Sequence, residues 1–173
     1  MRLRDSQFIK VTFILIIAVF TIAGCSGRLL TYKGDKVTQK DLMVLLKDGN
    51  QQGVWKTNEL AIKYQYQMSP ESFIIAGTTE LVGGLAMGFR WITRLSVYLL
   101  FLDNHGTVIE NTLVYSSGNH HSTDTDTIPM VFETTIPIPE GARAISFAYE
   151  GELMGAGTLD RTTYNIWSSP SRR

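Results

Sequence analysis

The sequence predicts a mostly β protein, an antiparallel β-sandwich of about seven strands with one short helix near its N-terminus. Apolar and polar residues alternate over residues 60–68, which is the period of a strand with one buried and one solvated face. An Asp-Asn-His-Gly turn at residues 103–106 joins two such segments, as in a β-hairpin. Further strand-like segments recur at intervals of roughly ten to fifteen residues and are joined mostly by short turns, a spacing typical of sandwiches.

The predicted helix spans about ten residues and begins after Thr38, whose hydroxyl can cap the first turn. Gly49 stands just past its expected end, where glycine is a common terminator. Val37 and Leu42 occupy the positions of a hydrophobic staple. The apolar face of this helix is expected to carry Leu42, Leu45 and Leu46.

Seven strands are predicted after residue 53. The longest, residues 89–102, is apolar on both faces by Leu100, which places it in the middle of a partly covered sheet. Pro137 and Pro139 lack N–H donors, so the segment that contains them is expected to be an edge strand or the end of a strand. Residues 116–127 are expected to form a polar loop. The predicted strands are residues 60–68, 73–82, 89–102, 107–115, 130–138, 143–151 and 161–167.

The first twenty-five residues have the composition of a targeting segment. Basic residues precede an apolar run at residues 11–22, in which only two threonines are polar. A transmembrane helix needs about 20 apolar residues, whereas the apolar region of a signal peptide needs only about 7 to 15. The run therefore predicts a signal peptide that ends at Cys25, the one cysteine of the chain.

Ile22, Ala23, Gly24 and Cys25 resemble the lipobox of bacterial lipoproteins. The resemblance implies a diacylglycerol on the Cys25 thiol, cleavage before Cys25 and an N-acyl chain on the new amino terminus. Two or three chains give a stable membrane anchor. Because Ser26 follows the cysteine instead of aspartate, the resemblance favours the outer membrane over the inner membrane of the cell envelope.

The expected organisation is a lipoprotein signal peptide at residues 1–24, a lipidated tether at 25–36 and one sandwich domain at 37–173. Removing residues 1–24 takes away three basic residues and one acidic residue, which leaves a net charge of −2. This balance provides no electrostatic surface for nucleic acid. With its single cysteine used for lipid, the domain must fold without a disulfide.

The order of features over residues 59–151 resembles small immunoglobulin-like envelope modules that carry a Phe-x-Leu-Tyr-Asp motif. A long strand closes with Phe101, Leu102 and Asp103, a turn follows at Gly106, and a Pro-Glu-Gly turn precedes the last aromatic strand. The chain departs from the motif because no tyrosine precedes Asp103. The resemblance implies an immunoglobulin-like fold.

Histidines and aspartates near residues 105–126 are the candidate metal ligands. Zinc sites usually take ligands from rigid elements at regular spacings, and calcium loops use a denser pattern of oxygen atoms. A solvated connection between strands explains the same residues, and we expect no metal or other cofactor. The candidates are His105, His120, His121, Asp124 and Asp126.

An enzyme is not expected, because the sequence contains no Gly-x-Ser-x-Gly elbow and no phosphate-binding glycine loop. Two glycine-rich apolar segments, residues 80–88 and 152–157, are instead expected either to fold onto the core or to form an exposed patch for a protein partner or the lipid surface. The candidate partner-binding residues are Leu85, Met87, Leu153 and Met154.

The expected function is therefore that of a non-enzymatic, lipid-anchored envelope protein that binds another protein as an accessory of an envelope complex. A module that binds carbohydrate or another small ligand is the alternative. Several aromatic residues in the predicted strands either line such a sugar platform or belong to the core. These aromatic residues are Trp55, Tyr64, Tyr66, Trp91, Tyr98 and Trp167.

Overall fold

A computed structural model describes residues 31–70, 72–121, 130–155, 162–169 and 171–172. The described strands and helices belong to a compact unit, residues 32–173. The strands are β1 (Lys36–Val37), β2 (Val44–Leu45), β3 (Gly49–Lys56), β4 (Leu60–Met68), β5 (Phe73–Leu81), β6 (Phe89–Leu102), β7 (Val108–His121), β8 (Met130–Ile136), β9 (Ala144–Gly155), β10 (Thr163–Ser168) and β11 (Ser171–Arg172). The helices are a 3-10 helix, Lys40–Leu42, and α1, Gly84–Gly88.

Two antiparallel sheets account for most of the described chain, which confirms the mostly β prediction. One sheet has four strands in the order β3-β4-β5-β8. The other has the order β10-β9-β6-β7, with β2 also paired to β9, and β1 pairs separately with β11. The long strand β6 lies between β9 and β7, in the middle of its sheet as expected. Strand β8 lies at the edge of its sheet within the described residues, and it ends at Ile136, directly before Pro137. Both features agree with the prediction of an edge strand or a strand end.

The two sheets pack face to face across an aromatic layer, as in a β-sandwich. The ring centroids of Trp55 and Phe147 lie 5.6 Å apart, and those of Phe73 and Phe101 lie 5.5 Å apart. Each pair joins the four-stranded sheet to the five-stranded sheet. Edge-to-face aromatic pairs contribute about 0.5–1.5 kcal/mol beyond their buried area, so these contacts help to fix how the sheets face each other.

One row of the four-stranded sheet alternates glycine with aromatic residues, in the order Gly53, Tyr64, Gly77 and Phe132. A Cβ atom added to Gly53 would lie 2.5 Å from the Tyr64 hydroxyl, and one added to Gly77 would lie 2.6 Å from the Phe132 ring. The glycines therefore leave the space that the neighbouring rings fill.

The five-stranded sheet is covered on its outer face as well. Leu99 and Leu100 point to opposite faces of β6, and both are fully buried. Tyr32 packs its ring edge-to-face on Tyr98 at a centroid distance of 5.6 Å. The Gly34 amide also donates to the Val108 carbonyl at 2.8 Å. The segment that contains Tyr32 is thus attached to the outside of this sheet, which is why β6 is apolar on both faces.

The predicted ten-residue helix after Thr38 is wrong, since the structure has only the 3-10 helix Lys40–Leu42 there. The carbonyl of Leu42 accepts hydrogen bonds from Trp55 Nε1 at 3.1 Å and from Ser146 Oγ at 2.8 Å. Val44–Leu45 then pairs with β9. Contacts with distant strands therefore satisfy the backbone, and the local helical pattern does not decide the structure.

The predicted hairpin turn is confirmed, whereas the prediction of a polar loop at residues 116–127 is partly wrong. Asp103 Oδ1 accepts backbone hydrogen bonds from His105 and Thr107, both at 2.8 Å, and Gly106 adopts a φ of 78°. Strand β7 continues to His121, so residues 116–121 are strand instead of loop. Residues 122–127 lie outside the described residues. Strand β3 was not predicted, because its Gly-Asn-Gln-Gln-Gly start has low strand propensity.

Candidate functional site

A cleft of about 530 Å³ opens at one end of the sandwich. The turn between β3 and β4 forms one wall, the 3-10 helix segment forms another, and the end of β10 closes the third side. We call it the Glu59 cleft. Its lining residues are Gln39, Asp41, Leu42, Lys56, Thr57, Asn58, Glu59, Tyr149, Trp167 and Ser168.

Thr57 shapes the turn that carries Glu59. Its Oγ1 accepts hydrogen bonds from the backbone amides of Glu59 at 3.2 Å and Leu60 at 3.1 Å. A threonine hydroxyl that bonds backbone groups two or three residues on is a local turn signal. The turn therefore fixes the position of Glu59 through its own backbone hydrogen bonds.

Tyr149 reaches this turn from the opposite sheet. Its hydroxyl lies 2.8 Å from Thr57 Oγ1 and donates to Glu59 Oε2 at 2.9 Å. Burial raises the pKa of Tyr149 well above its usual value, and the hydrogen bond to Glu59 acts in the same direction. The phenol therefore stays protonated at neutral pH and remains a donor to the Glu59 carboxylate.

Strand β10 brings two further aromatic residues to this end of the sandwich. The Tyr164 hydroxyl donates to Glu59 Oε1 at 3.3 Å, and its ring packs against Phe89 at a centroid distance of 5.4 Å. Trp167 lines the Glu59 cleft and leaves 58% of its surface exposed. By contrast, Trp55 is 2% exposed and belongs to the core.

The aromatic residues expected as a sugar platform thus separate into two groups. Four of them are buried, namely Trp55, Tyr64, Tyr66 and Tyr98, and Trp91 is half-buried. Trp167 is exposed and is one of the residues that line the polar cleft. Sequence reasoning did not single out Thr57, Glu59 or Tyr149, because they come together only when β9 packs over the β3–β4 turn. A Thr-x-Glu turn between two strands was the one local signal.

The two glycine-rich segments, residues 80–88 and 152–157, are not among the residues that line the Glu59 cleft. Leu153 is fully buried in the core, and Leu85 and Met154 are half-buried. Leu85, in α1, packs against the core cluster. The side chain of Met87 lies outside the described residues. An exposed patch that includes Leu153 is therefore not present in this structure.

The candidate metal ligands do not come together in the described part of the chain. His105 is exposed in the hairpin turn, and His120 and His121 lie at the far end of β7. The side chains of His120 and His121 lie outside the described residues, as do Asp124 and Asp126 entirely. Among the described residues, no group of three histidine, cysteine, aspartate or glutamate side chains is arranged to hold a metal ion.

Cys25 and the expected signal peptide lie outside the described residues. Within residues 31–172 as described, no helix is both long and apolar enough to cross a membrane. Comparison of the chain with protein-family models, curated proteins and solved structures finds no match. The assignment of function therefore depends on the physical properties of the Glu59 cleft.

Proposed function

We propose that this protein is a non-enzymatic binding module of the bacterial cell envelope, anchored by lipid on Cys25, and that it binds a carbohydrate in the Glu59 cleft. The observation that carries the proposal is the exposure of Trp167 at the cleft. An indole that leaves 58% of its surface in water, beside a cleft of about 530 Å³, is available to a ligand. Small-ligand sites generally occupy about 300–1,000 Å³.

A sugar ring matches the chemistry of this cleft. One face of a pyranose presents C–H groups that pack on an indole, and its edge presents hydroxyls that donate and accept hydrogen bonds. Trp167 supplies the aromatic surface. Asn58 and Asp41 supply polar groups on the other walls, and both carboxylate and amide oxygens accept hydroxyl protons.

The hydrogen bonds of Glu59 suit it to hold a ligand. Both of its carboxylate oxygens already accept hydrogen bonds, from Tyr149 and Tyr164. These bonds fix the orientation of the carboxylate, and each oxygen keeps a second lone pair that can accept a hydrogen bond from a ligand hydroxyl. In our proposal Glu59 is therefore a fixed acceptor for a ligand hydroxyl.

The fold proposed for this module is immunoglobulin-like. Strands β4, β5 and β8 face β10, β9, β6 and β7, and after β4 the chain crosses between the sheets at β5–β6, β7–β8 and β8–β9. This order supports a Greek-key sandwich of the immunoglobulin and fibronectin type, with β3 added at the edge beside β4.

A protein partner at the glycine-rich segments remains a weaker proposal, because Leu153 is buried in the core. Its remaining described candidates are Leu85 and Met154, which are both half-buried. Replacing Leu85 by serine tests it: loss of a co-purifying protein with unchanged melting temperature favours a partner, and a large fall in melting temperature shows a core role.

The carbohydrate proposal is tested with the full-length protein in detergent, first on a glycan array and then by titration with the neutral mono- and disaccharides that bind. We expect Trp167→Ala to weaken binding at least tenfold and to remove the ligand-induced change in tryptophan fluorescence. Leu45→Ala is the matched control, because Leu45 is similarly exposed, at 67%, but lies on β2 and does not line the cleft. Equal affinities for the two variants would contradict the proposal.

A further inference from the structure

The outer face of the four-stranded sheet forms a groove along β5. The outward side chains of β5, Ile74, Ala76 and Thr78, are half-buried and form its floor. On neighbouring β4 the outward Gln65 and Gln67 are exposed and long. The difference in side-chain length between β5 and its neighbours makes the face concave.

Two depressions, of about 460 and 290 Å³, make up this groove. Both are lined by Gln52, Gln65 and Ala76, so they are continuous with each other. The register aligns three outward rows across the sheet, centred on Ile74, Ala76 and Thr78. Because outward residues on a strand lie about 6.8 Å apart, the floor extends about 14 Å between the centres of the outer rows.

Side-chain amides dominate the groove. Asn50 and Gln67 are cross-strand neighbours, and so are Gln52 and Gln65. Each amide offers one acceptor and two donor hydrogens. In the described part of the chain no side-chain hydrogen bond engages any of the four. They are therefore available to a ligand that both donates and accepts.

The groove carries little charge. Its one lysine, Lys63, is paired with Glu80 at 3.0 Å, and Glu133 is the acidic side chain in the lining. A polyanion such as a nucleic acid needs several unpaired basic residues, which this face does not supply. A folded protein partner would need a central apolar or aromatic anchor site, whereas the centre of this face is amide and alanine.

We propose that the outer face of the four-stranded sheet is a second binding site, for an uncharged linear glycan that lies along β5. Hydroxyls along such a chain match the two pairs of amides, and the small floor at Ala76 lets a sugar ring approach the sheet. The site is separate from the Glu59 cleft and does not depend on it, since the two share no lining residue.

The test uses the full-length protein in detergent, titrated with cellohexaose, maltohexaose and chitohexaose, and with an acidic hexagalacturonate as comparator. We expect at least one neutral hexaose to bind more tightly than the acidic one. Ala76→Gln, which fills the floor without adding charge, should weaken that binding about tenfold. The double variant Gln65→Ala/Gln67→Ala should weaken it similarly and keeps the inference testable if Ala76→Gln misfolds.

Asn165→Ala is the matched control, because Asn165 is an exposed strand amide on β10 of the other sheet. It should bind hexaose like the wild type. The groove variants, in turn, should keep any binding of mono- and disaccharides in the Glu59 cleft. Hexaose binding lost in Trp167→Ala but kept in the groove variants would overturn the groove and leave the cleft proposal standing. If the groove variants lose hexaose binding while Trp167→Ala has no effect on any saccharide, the groove proposal stands and the cleft proposal is overturned. No binding of any neutral hexaose would also overturn the groove.

Discussion

The phenol of Tyr149 donates a 2.9 Å hydrogen bond to Glu59 Oε2, and this bond joins a strand of one sheet to a turn of the other. Tyr149 lies in β9, whereas Glu59 lies in the turn between β3 and β4. The same contact that closes this end of the sandwich therefore positions the carboxylate of the proposed site. Stability and the proposed ligand binding therefore depend on the same phenol.

Replacing Tyr149 by phenylalanine removes that bond and leaves a carboxylate oxygen without its donor. We expect the free energy of unfolding to fall by about 1–2 kcal/mol, because hydrogen bonds to charged groups are stronger than neutral ones. Urea denaturation measures the change. Tyr164→Phe is the control, since its 3.3 Å bond is exposed and its loss should cost less than about 0.5 kcal/mol. Equal losses in the two variants would contradict this account.

Alkaline pH is expected to destabilise the protein through Tyr149. Burial raises the pKa of Tyr149 in the folded state, whereas in the unfolded chain a tyrosine ionises near pH 10. The unfolded state loses its proton first, so the stabilisation is complete below about pH 10 and is lost as the pH rises further.

The measurement is the free energy of unfolding in urea at a series of pH values from about 8 to 11.5. Tyr149→Phe should show a shallower decline above pH 10 than the wild type. Some decline should persist, because burial also raises the pKa values of Tyr64 and Tyr98. Parallel curves for the variant and the wild type would refute the role of Tyr149.

Acid is expected to weaken the hairpin turn at Asp103. The backbone hydrogen bond from Thr107 lowers the pKa of the Asp103 carboxyl below its usual value. The stabilisation is therefore present above about pH 4 and is lost as the pH falls through the lowered pKa. Asp103→Ala should have a lower melting temperature than the wild type at pH 7, and the difference should narrow below pH 4. A difference that stays constant from pH 7 to pH 3 would show that the charge is irrelevant.

Gly77→Ala should be strongly destabilising. The added Cβ would lie 2.6 Å from both the Lys63 carbonyl and the Phe132 ring, and overpacking of this kind typically costs about 1–3 kcal/mol. Gly84→Ala in α1 is the matched control, because its Cβ would meet no atom within 4 Å. That substitution should be neutral or stabilising by up to about 1 kcal/mol. Similar urea midpoints for the two variants would argue against the glycine-aromatic row.

The proposed anchor is tested at Cys25. Cys25→Ala should abolish incorporation of labelled palmitate and move the protein from the membrane fraction to the supernatant. Ser26→Asp keeps the cysteine and so should remain acylated and membrane-bound, with a shift towards the inner membrane in a host that sorts lipoproteins by this residue. Membrane retention of Cys25→Ala would refute the anchor.

The sequence by itself determined the features whose signals are local. Alternation predicted β4 with its observed bounds, the apolar run predicted β6 as a central strand, and the Asp103 turn predicted the hairpin between β6 and β7. Such signals act over a few neighbouring residues, because turn chemistry and side-chain alternation are properties of the chain itself.

Only the tertiary structure decided the rest. The leucines after Thr38 have helical spacing, but Leu42 gives its carbonyl to Trp55 and Ser146, which lie 13 and 104 residues away. The Glu59 cleft likewise needs Tyr149, which lies 90 residues from Glu59. Hydrogen bonds and packing between distant strands outweigh local helix propensity, which amounts to less than about 1 kcal/mol per residue. Individual strands can therefore be predicted from their own residues, whereas the cleft forms only when the two sheets pack together.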